Sequence, residues 1–346
     1  MTNNSRRFAG FAALALSIAA VSSVAHAADA ALIEAAKKEG QIIWYTVQTI
    51  PQVVTPLVAA FEKKYGIKVQ YVRANSSEVV LRVLNEAKAG KSLSDVFDGT
   101  GTTPPLKREN LVMKWVPDFT ASWPKGLVDP EGYWVATNSF VNTVGINTTM
   151  VKPTDEPKTW DDLADPKWKG KMMWGSQTSP SAGPGFVGLM LKTRGEDKAR
   201  ELLNKLAKQS IAAQPVAARQ VLDQVIAGEY AIGLMIFNHH AVISAAQGAP
   251  TKWLPVGPAG ITLNVASVAK DAPHPNAAKL FLDYMVSEEG QVVFRDSDYL
   301  PANPKVPAKD PTLLPDGVKF TGYSFTPEEI ETDMPKWNKT FQDIFR

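Results

Sequence analysis

The stretch that decides the fold runs from Ala217 to Gly248 and reads AARQVLDQVIAGEYAIGLMIFNHHAVISAAQG. Its first part has apolar residues at helical spacing and stops near Gly228, which favours a helix with a left-handed end. Residues 231–237 are an unbroken apolar run, as is typical of a strand buried on both faces of a parallel sheet. A small-residue helix then begins at 238. Because open α/β sheets bind ligands at the carboxyl ends of strands, residues 238–240 mark a candidate site.

The N-terminal third repeats this alternation of strand and helix. Strands are predicted at 41–45, 67–72 and 95–98, with helices at 53–65 and 76–88, the second capped by Ser76. The β-α-β-α-β order predicts a parallel sheet, because parallel strands need helical crossovers. Hydroxyl and amide side chains follow the first and third strands, and these candidate ligand-binding residues are Thr46, Gln48, Thr49 and Thr100.

The middle and the end of the chain predict a second α/β unit and two connections to the first. The β-rich runs at 133–147, and at 253–256 with 261–268, are long enough to cross between two lobes. Helices are predicted at 185–192, 197–208, 276–286, 288–295 and 327–345. The expected architecture is therefore an α/β two-lobe clamp with two hinge-crossing strands. Lobe 1 takes 28–135 plus about 265–305, and lobe 2 takes about 136–264 plus 306–346.

The first 27 residues have the pattern of a secretory signal peptide. Arg6 and Arg7 precede an apolar run, and Ala25-His26-Ala27 is a typical cleavage site, which predicts a periplasmic protein. Lys and Arg exceed Asp and Glu by two, and both extra cations lie in this leader, so the mature chain is formally neutral. A neutral surface argues against nucleic-acid binding. The chain has no cysteine, which excludes disulfides and thiolate chemistry.

The sequence favours binding over catalysis. No hydrolase elbow, zinc-protease motif, phosphate loop or dinucleotide fingerprint occurs, and neither a cofactor nor a metal site is expected. Hydroxyl residues before the predicted helix at 185 are suited to an anion, and Arg219 can pair with a carboxylate or phosphate. The remaining candidates for binding are Thr178, Ser179, Ser181, Arg219, Asn238, His239 and His240. Trp44, Tyr45 and Trp174 either stack on the ligand or pack in the core.

Several segments together resemble a known family, and they cover nearly the whole mature chain. In order they are residues 45–48 (YTVQ), 61–69 (FEKKYGIKV), 94–97 (SDVF), 129–134 (DPEGYW), 144–148 (VGINT), 165–171 (DPKWKGK), 227–230 (AGEY) and 288–291 (EEGQ). Through these segments, taken in this order, the chain resembles the periplasmic solute-binding proteins of ABC importers, in the ferric-ion-binding branch (extracellular solute-binding family 1). The resemblance implies a type II periplasmic-binding fold, a small-molecule ligand in the interlobe cleft, and delivery by a monomer to a membrane permease.

The iron ligands of that branch are not matched here. Its members hold Fe(III) with a histidine after the first strand, a glutamate after the third and two consecutive tyrosines. The matching places in this sequence are Thr49, Thr100 and residues 238–240, which supply none of the phenolate or carboxylate oxygens that a hard cation prefers. The resemblance retains the anion-binding turn as Thr178, Ser179, Ser181 and Ala182.

We therefore expect a non-enzymatic binding protein for a small anionic organic solute, such as a carboxylate, a phosphonate or a sugar phosphate. Three alternatives stay open at this point. One is a carrier of ferric iron or an iron chelate. Another is a secreted hydrolase that uses His239 as its base. The last is a protein that presents its ligand to a membrane sensor.

Overall fold

The computed structural model describes residues 29–345, and the leader predicted for 1–27 lies outside them. Local sequence signals set most element ends. Asp29 caps the first helix with its side chain, and Gly66 ends the second in a left-handed conformation. The described helices are α1 Ala30–Glu39, α2 Thr55–Tyr65, α3 Ser76–Lys88, α4 Thr103–Arg108, α5 Gly183–Arg194, α6 Glu196–Ala207, α7 Ala218–Ile226, α8 Asn238–Ala246, α9 Pro275–Val286, α10 Glu288–Asp296 and α11 Pro327–Ile344.

The strands join in one curved sheet. Within residues 29–345 they are β1 Gln41–Thr46, β2 Lys68–Arg73, β3 Val96–Gly99, β4 Val135–Asn147, β5 Met172–Gly175, β6 Ala212–Gln214, β7 Ile232–Phe237, β8 Thr251–Leu254, β9 Ala259–Val268, β10 Leu300–Pro301 and β11 Gly322–Phe325. The main order is β2-β1-β3-β9-β4-β7-β5-β6. β1 pairs in parallel with β2 and β3, and β5 pairs in parallel with β6 and β7.

The long strands β4 and β9 lie at the centre, antiparallel to each other, and connect the two parallel sets. These are the two crossing strands predicted from the sequence. The α/β two-lobe architecture is thereby confirmed. Part of the second predicted crossing is a separate short strand, β8, which pairs with the end of β4. The division of the chain near residues 135 and 265 stays a prediction.

Each parallel set has an aromatic core of its own. One core contains Trp44 and Phe61 with side chains of α9, and the other contains Trp174, Phe186 and Trp337 with side chains of α6 and α11. Trp44 and Trp174 are fully buried and Tyr45 is 3% exposed. All three aromatic side chains therefore pack in the core, which is the second of the two roles considered for them.

One predicted helix cap and one predicted helix start are wrong by one or two residues, while the predicted bounds of the helix at 76–88 are confirmed. Asn75, rather than Ser76, caps α3, because its side chain accepts from the Glu78 N–H while the Glu78 carboxylate accepts from the Asn75 N–H. The helix predicted from residue 53 begins at Thr55, after a π-helical turn over Ile50–Val54. The strand predicted to end at 72 extends one residue further, to Arg73.

Candidate functional site

The candidate site lies where the parallel strands of both sets end. β1, β2 and β3 run in parallel, so their carboxyl ends lie at one edge of the sheet. Arg73 is the last residue of β2, and Thr49 and Thr100 lie in the segments that follow β1 and β3. β5 and β7 also run in parallel, so residues 176–182 share an edge with residues 238–240. The predicted anion-binding turn and the segment 238–240 are thus neighbours on one edge of the sheet.

A backbone irregularity directs the end of β7. The register between β4 and β7 shifts at Thr143, so Met235 is an extra residue on the β7 side, with a φ of 60°. A β-bulge of this kind re-aims the side chains that follow it, and a non-glycine residue at positive φ stores strain. Asn238 then opens α8 fully buried, with its side-chain NH₂ donating to the Leu313 carbonyl at 2.7 Å.

His239 and His240 lie at the start of α8, where His239 is buried and His240 is half-buried. Burial lowers the pKa of His239 well below its usual value, and the neighbouring His240 adds to the effect. Burial also lowers the pKa of His240 to about 4, with a smaller contribution from Arg219. Both rings are therefore neutral at pH 7. Within residues 29–345, neither ring nitrogen of His239 has a hydrogen-bond partner, so no serine contacts it as a hydrolase mechanism requires.

Tyr299 connects the two halves of the site. Its hydroxyl lies 3.1 Å from the Thr49 hydroxyl, and its ring lies 5.3 Å from the His239 ring, centre to centre. A cavity of about 20 Å³, lined by His239, Tyr299 and Leu313 among others, has room for about one water molecule. Burial raises the pKa of Tyr299, partly offset by the Thr49 hydrogen bond and the positive charge of Arg73.

Thr46 and Gln48 face the hinge rather than the solvent. The Thr46 hydroxyl accepts from the Gln48 N–H, and the Gln48 side chain donates to Asn138 of β4 at 2.8 Å. Beside them lies Asp98, which accepts from Trp44 and the Val47 N–H. These groups form a buried polar network between β1, β3 and the crossing strands.

The Thr178–Ala182 turn directly precedes α5, and its role as an anion-binding turn stays a prediction. Thr178 is exposed, while Ser179 and Ser181 are half-buried and the Ser181 N–H donates to the Ser179 hydroxyl at 3.2 Å. No side chain caps α5 at Ala182, so hydrogen-bond capacity stays at this end of the helix. Gly185 is required here, because a Cβ at that position would lie 1.9 Å from the Pro180 carbonyl oxygen.

Arg219 is in the first turn of α7, next to His240. It binds Asp223 of the same helix at 2.8 Å and donates to the Ser244 hydroxyl at 3.1 Å, and its side chain is 44% exposed. Thr100 is half-buried in the turn after β3. The eleven residues proposed from the sequence thus divide between the two strand edges and the hinge, and their role in binding stays a prediction.

Sequence reasoning missed Arg73, Tyr299 and Phe140. Arg73 ends β2 directly opposite Thr46 of β1, and the signal that identifies it is an arginine at the carboxyl end of a strand. Tyr299 follows α10, and Phe140 lies within β4. Their contacts join distant parts of the chain, and no local pattern marks them.

The described residues do not offer a conventional metal cluster. Within residues 29–345, no three His, Cys, Asp or Glu side chains are grouped so that they could hold a metal ion. In the same part of the chain, no helix has the length and apolarity needed to cross a membrane.

Known proteins match this chain over most of its length. The family model described as bacterial extracellular solute-binding protein matches residues 90–325. Iron uptake protein A1 of Synechocystis sp. is 24% identical over 265 residues, which are 70% of this chain and 70% of that protein. Iron-bound HitA from Pseudomonas aeruginosa superposes with a TM-score of 0.73 at 21% identity, over 87% of this chain and 99% of that one.

A third protein has the same fold and a different ligand. The periplasmic binding protein AfuA from Actinobacillus pleuropneumoniae, solved with fructose-6-phosphate, gives a TM-score of 0.70 at 22% identity, over 88% of this chain and 99% of that one. The structural matches establish the two-lobe binding-protein fold. The family match covers well over half of the sequence. The chain therefore belongs to the bacterial extracellular solute-binding proteins, which deliver small solutes to the membrane permeases of ABC transporters.

Proposed function

We propose that this protein binds a small organic anion in the cleft between its lobes and carries it to a permease. The observation that supports this most is the charge of the site. Among the eleven proposed residues and Arg73, the side chains that are charged at neutral pH are the two arginines, since both histidines are held neutral by burial. The others are hydroxyls, amides and neutral imidazoles. Such a set donates hydrogen bonds to an anion.

Arg73 is the strongest candidate for the charged contact. It lies at a strand end, its side chain is exposed, and no carboxylate within residues 29–345 is paired with it. Arg219 is instead shared with Asp223 and Ser244. An unpaired guanidinium forms a charge-assisted, two-pronged contact with a carboxylate or phosphate without losing an existing ion pair.

The proposed contacts fall into two groups according to exposure. Direct contacts come from side chains that solvent reaches, which are Thr49, Arg73, Thr100, Thr178, Ser179, Ser181, Arg219 and His240. Thr46, Gln48, Asn238 and His239 are buried and support them. We further propose that the carrier is a monomer whose lobes close on the ligand by bending β4 and β9.

A thermal-shift screen of the mature protein tests the ligand class. The panel contains carboxylates, phosphonates, sugar phosphates, amino acids, and ferric salts with and without citrate. A ligand at a thousandfold excess over its Kd stabilises the folded state by about 4 kcal/mol, which is easily seen. We expect stabilisation by organic anions without iron. Stabilisation by iron-containing samples alone contradicts the proposal.

Ferric iron carried as a chelate is the second candidate ligand. The relatives named for iron favour it, and Tyr299 offers a phenol oxygen beside His239. A tyrosine-bound ferric ion gives a visible absorption band, so loading with ferric citrate distinguishes the two candidates. A coloured protein that loses its colour in Tyr299→Phe supports iron, and a colourless one with full anion binding rejects it.

A further inference from the structure

Four rings form a wall at the site. Phe140, Phe237 and His239 are near-parallel, with interplanar angles of 21–28° and ring centres 4.8–5.8 Å apart. The Tyr299 ring is tilted against this set, 6.0 Å from Phe140 and 5.3 Å from His239. We name these four residues the aromatic wall. Near-parallel rings share one orientation, and a further flat ring can stack in that orientation at little cost.

The wall is open at two of its members. Phe140 is half-buried, whereas all the remaining residues of β4 are buried. Phe237 is likewise half-buried, and the remaining residues of β7 are buried. The two rings lie on neighbouring strands, close to the Asn142–Phe237 pair of the ladder. A pair of stacked phenyl groups, partly exposed where both strands are otherwise buried, is an apolar surface beside a polar site.

Polar groups adjoin one end of this wall. The Tyr299 hydroxyl is held by Thr49 at 3.1 Å, and the Arg73 charge acts on the same phenol. At the other side, the buried nitrogens of His239 have no partner in the described chain. A neutral imidazole has one donor and one acceptor to offer. The site therefore presents flat apolar rings next to a cation and several hydrogen-bonding groups.

We propose that the solute is an anion carrying a flat, unsaturated ring, that is, an aromatic or heteroaromatic carboxylate or phosphate. The ring stacks on Phe140 and Phe237, and the anionic group binds at Arg73 and Thr49. This inference rests on the proposed function and specifies the ligand within it. Phenyl side chains supply no ligand to a metal ion. A planar ring makes fuller face-to-face contact with two near-parallel phenyl rings than a puckered sugar ring does.

Calorimetry with matched pairs of anions tests the inference. The probes are benzoate against cyclohexanecarboxylate and phenyl phosphate against cyclohexyl phosphate, which differ in the flatness of the ring and not in charge. We expect the flat member of a pair to bind about tenfold more tightly. Equal affinities within the pairs overturn the inference and leave the proposed function standing.

Variants locate the preference on the wall. Phe140→Leu and Phe237→Leu should remove most of the preference for the flat member while binding of the saturated member persists. Phe119→Leu, in the 3₁₀ turn Asp118–Ser122 outside the wall, is the control and should keep the preference. A preference that survives in both folded wall variants overturns the inference. Binding of non-ring anions alone also overturns it, and binding of no anion at all overturns the proposed function as well.

Discussion

The hydroxyl of Thr49 lies 3.1 Å from the hydroxyl of Tyr299, although 250 positions separate them in the chain. Thr49 follows β1, and Tyr299 follows α10 and contacts the ring of His239. One phenol thus links residues from the two strand edges that the sequence analysis identified separately. A tyrosine phenol is protonated at neutral pH, and burial raises the pKa of Tyr299 further, so this hydroxyl can donate a hydrogen bond.

Tyr299→Phe removes this hydroxyl and leaves the ring in place. We expect anion affinity to fall by about 0.5–1.5 kcal/mol, the usual worth of one hydrogen bond. Thr49→Val should have a similar effect, and the double variant should lose less than the sum, because both changes break the same contact. Calorimetry on the native protein, the two single variants and the double variant measures these affinities. Tyr323→Phe is the control, since the Tyr323 hydroxyl binds Glu329 instead. If the affinity losses of the two single variants add up in the double variant, the Thr49–Tyr299 hydrogen bond does not contribute to binding.

Arg73→Gln tests the proposed charged contact. Loss of a charge-assisted bond should weaken binding of a carboxylate or phosphate by about 1.5–3 kcal/mol. The salt dependence of binding should also decrease, because one ionic contact is gone. Arg200→Gln is the matched control, an exposed arginine on α6 that pairs with Glu196. Equal affinities in the two variants remove Arg73 from the site.

Asp98 predicts a pH dependence of stability. Burial raises the pKa of this carboxyl to about 6 from 3.8, despite hydrogen bonds from Val47, Thr46, Asn264 and Trp44 that lower it. The folded protein therefore holds this proton more tightly than the unfolded chain does. The stabilisation is fully present below pH 3.8 and is lost as the pH rises through 6.

Denaturant unfolding of the native protein and of Asp98→Asn, at pH 4 and at pH 7, isolates this contribution. The free energy of unfolding of the native protein, relative to the variant, should fall by up to about 3 kcal/mol over this interval. Other titrating groups, including His239 and His240, are common to both proteins and cancel in the difference. A difference that is constant with pH argues against a raised Asp98 pKa.

The sequence predicts those features of the fold that depend on local patterns. The apolar run at 231–237 and the glycines at 66 and 228 mark elements that the structure contains, because periodicity and left-handed stops need no distant partner. The Met235 bulge was not predicted, since it depends on pairing with β4. Tyr299 and Phe140 were missed for the same reason. Arg73 was missed because the strand was predicted one residue too short.

Gly185 connects the stability of α5 to the geometry of the Thr178–Ala182 turn. A Cβ at Gly185 would lie 1.9 Å from the Pro180 carbonyl oxygen, so Gly185→Ala must displace the turn backbone. We expect a loss of about 1–3 kcal/mol in unfolding free energy, as for other overpacked sites, although alanine favours a helix more than glycine does.

The same displacement should weaken anion binding, because it moves Ser179 and Ser181 relative to the helix end. Gly260→Ala is the control, since its Cβ would have no neighbour nearer than 3.5 Å and its backbone is unstrained. Thermal unfolding and calorimetry on both variants separate the two effects. A Gly185→Ala protein that is destabilised but binds the anion with native affinity would show that the turn is structural and that the ligand is held by the other residues of the site.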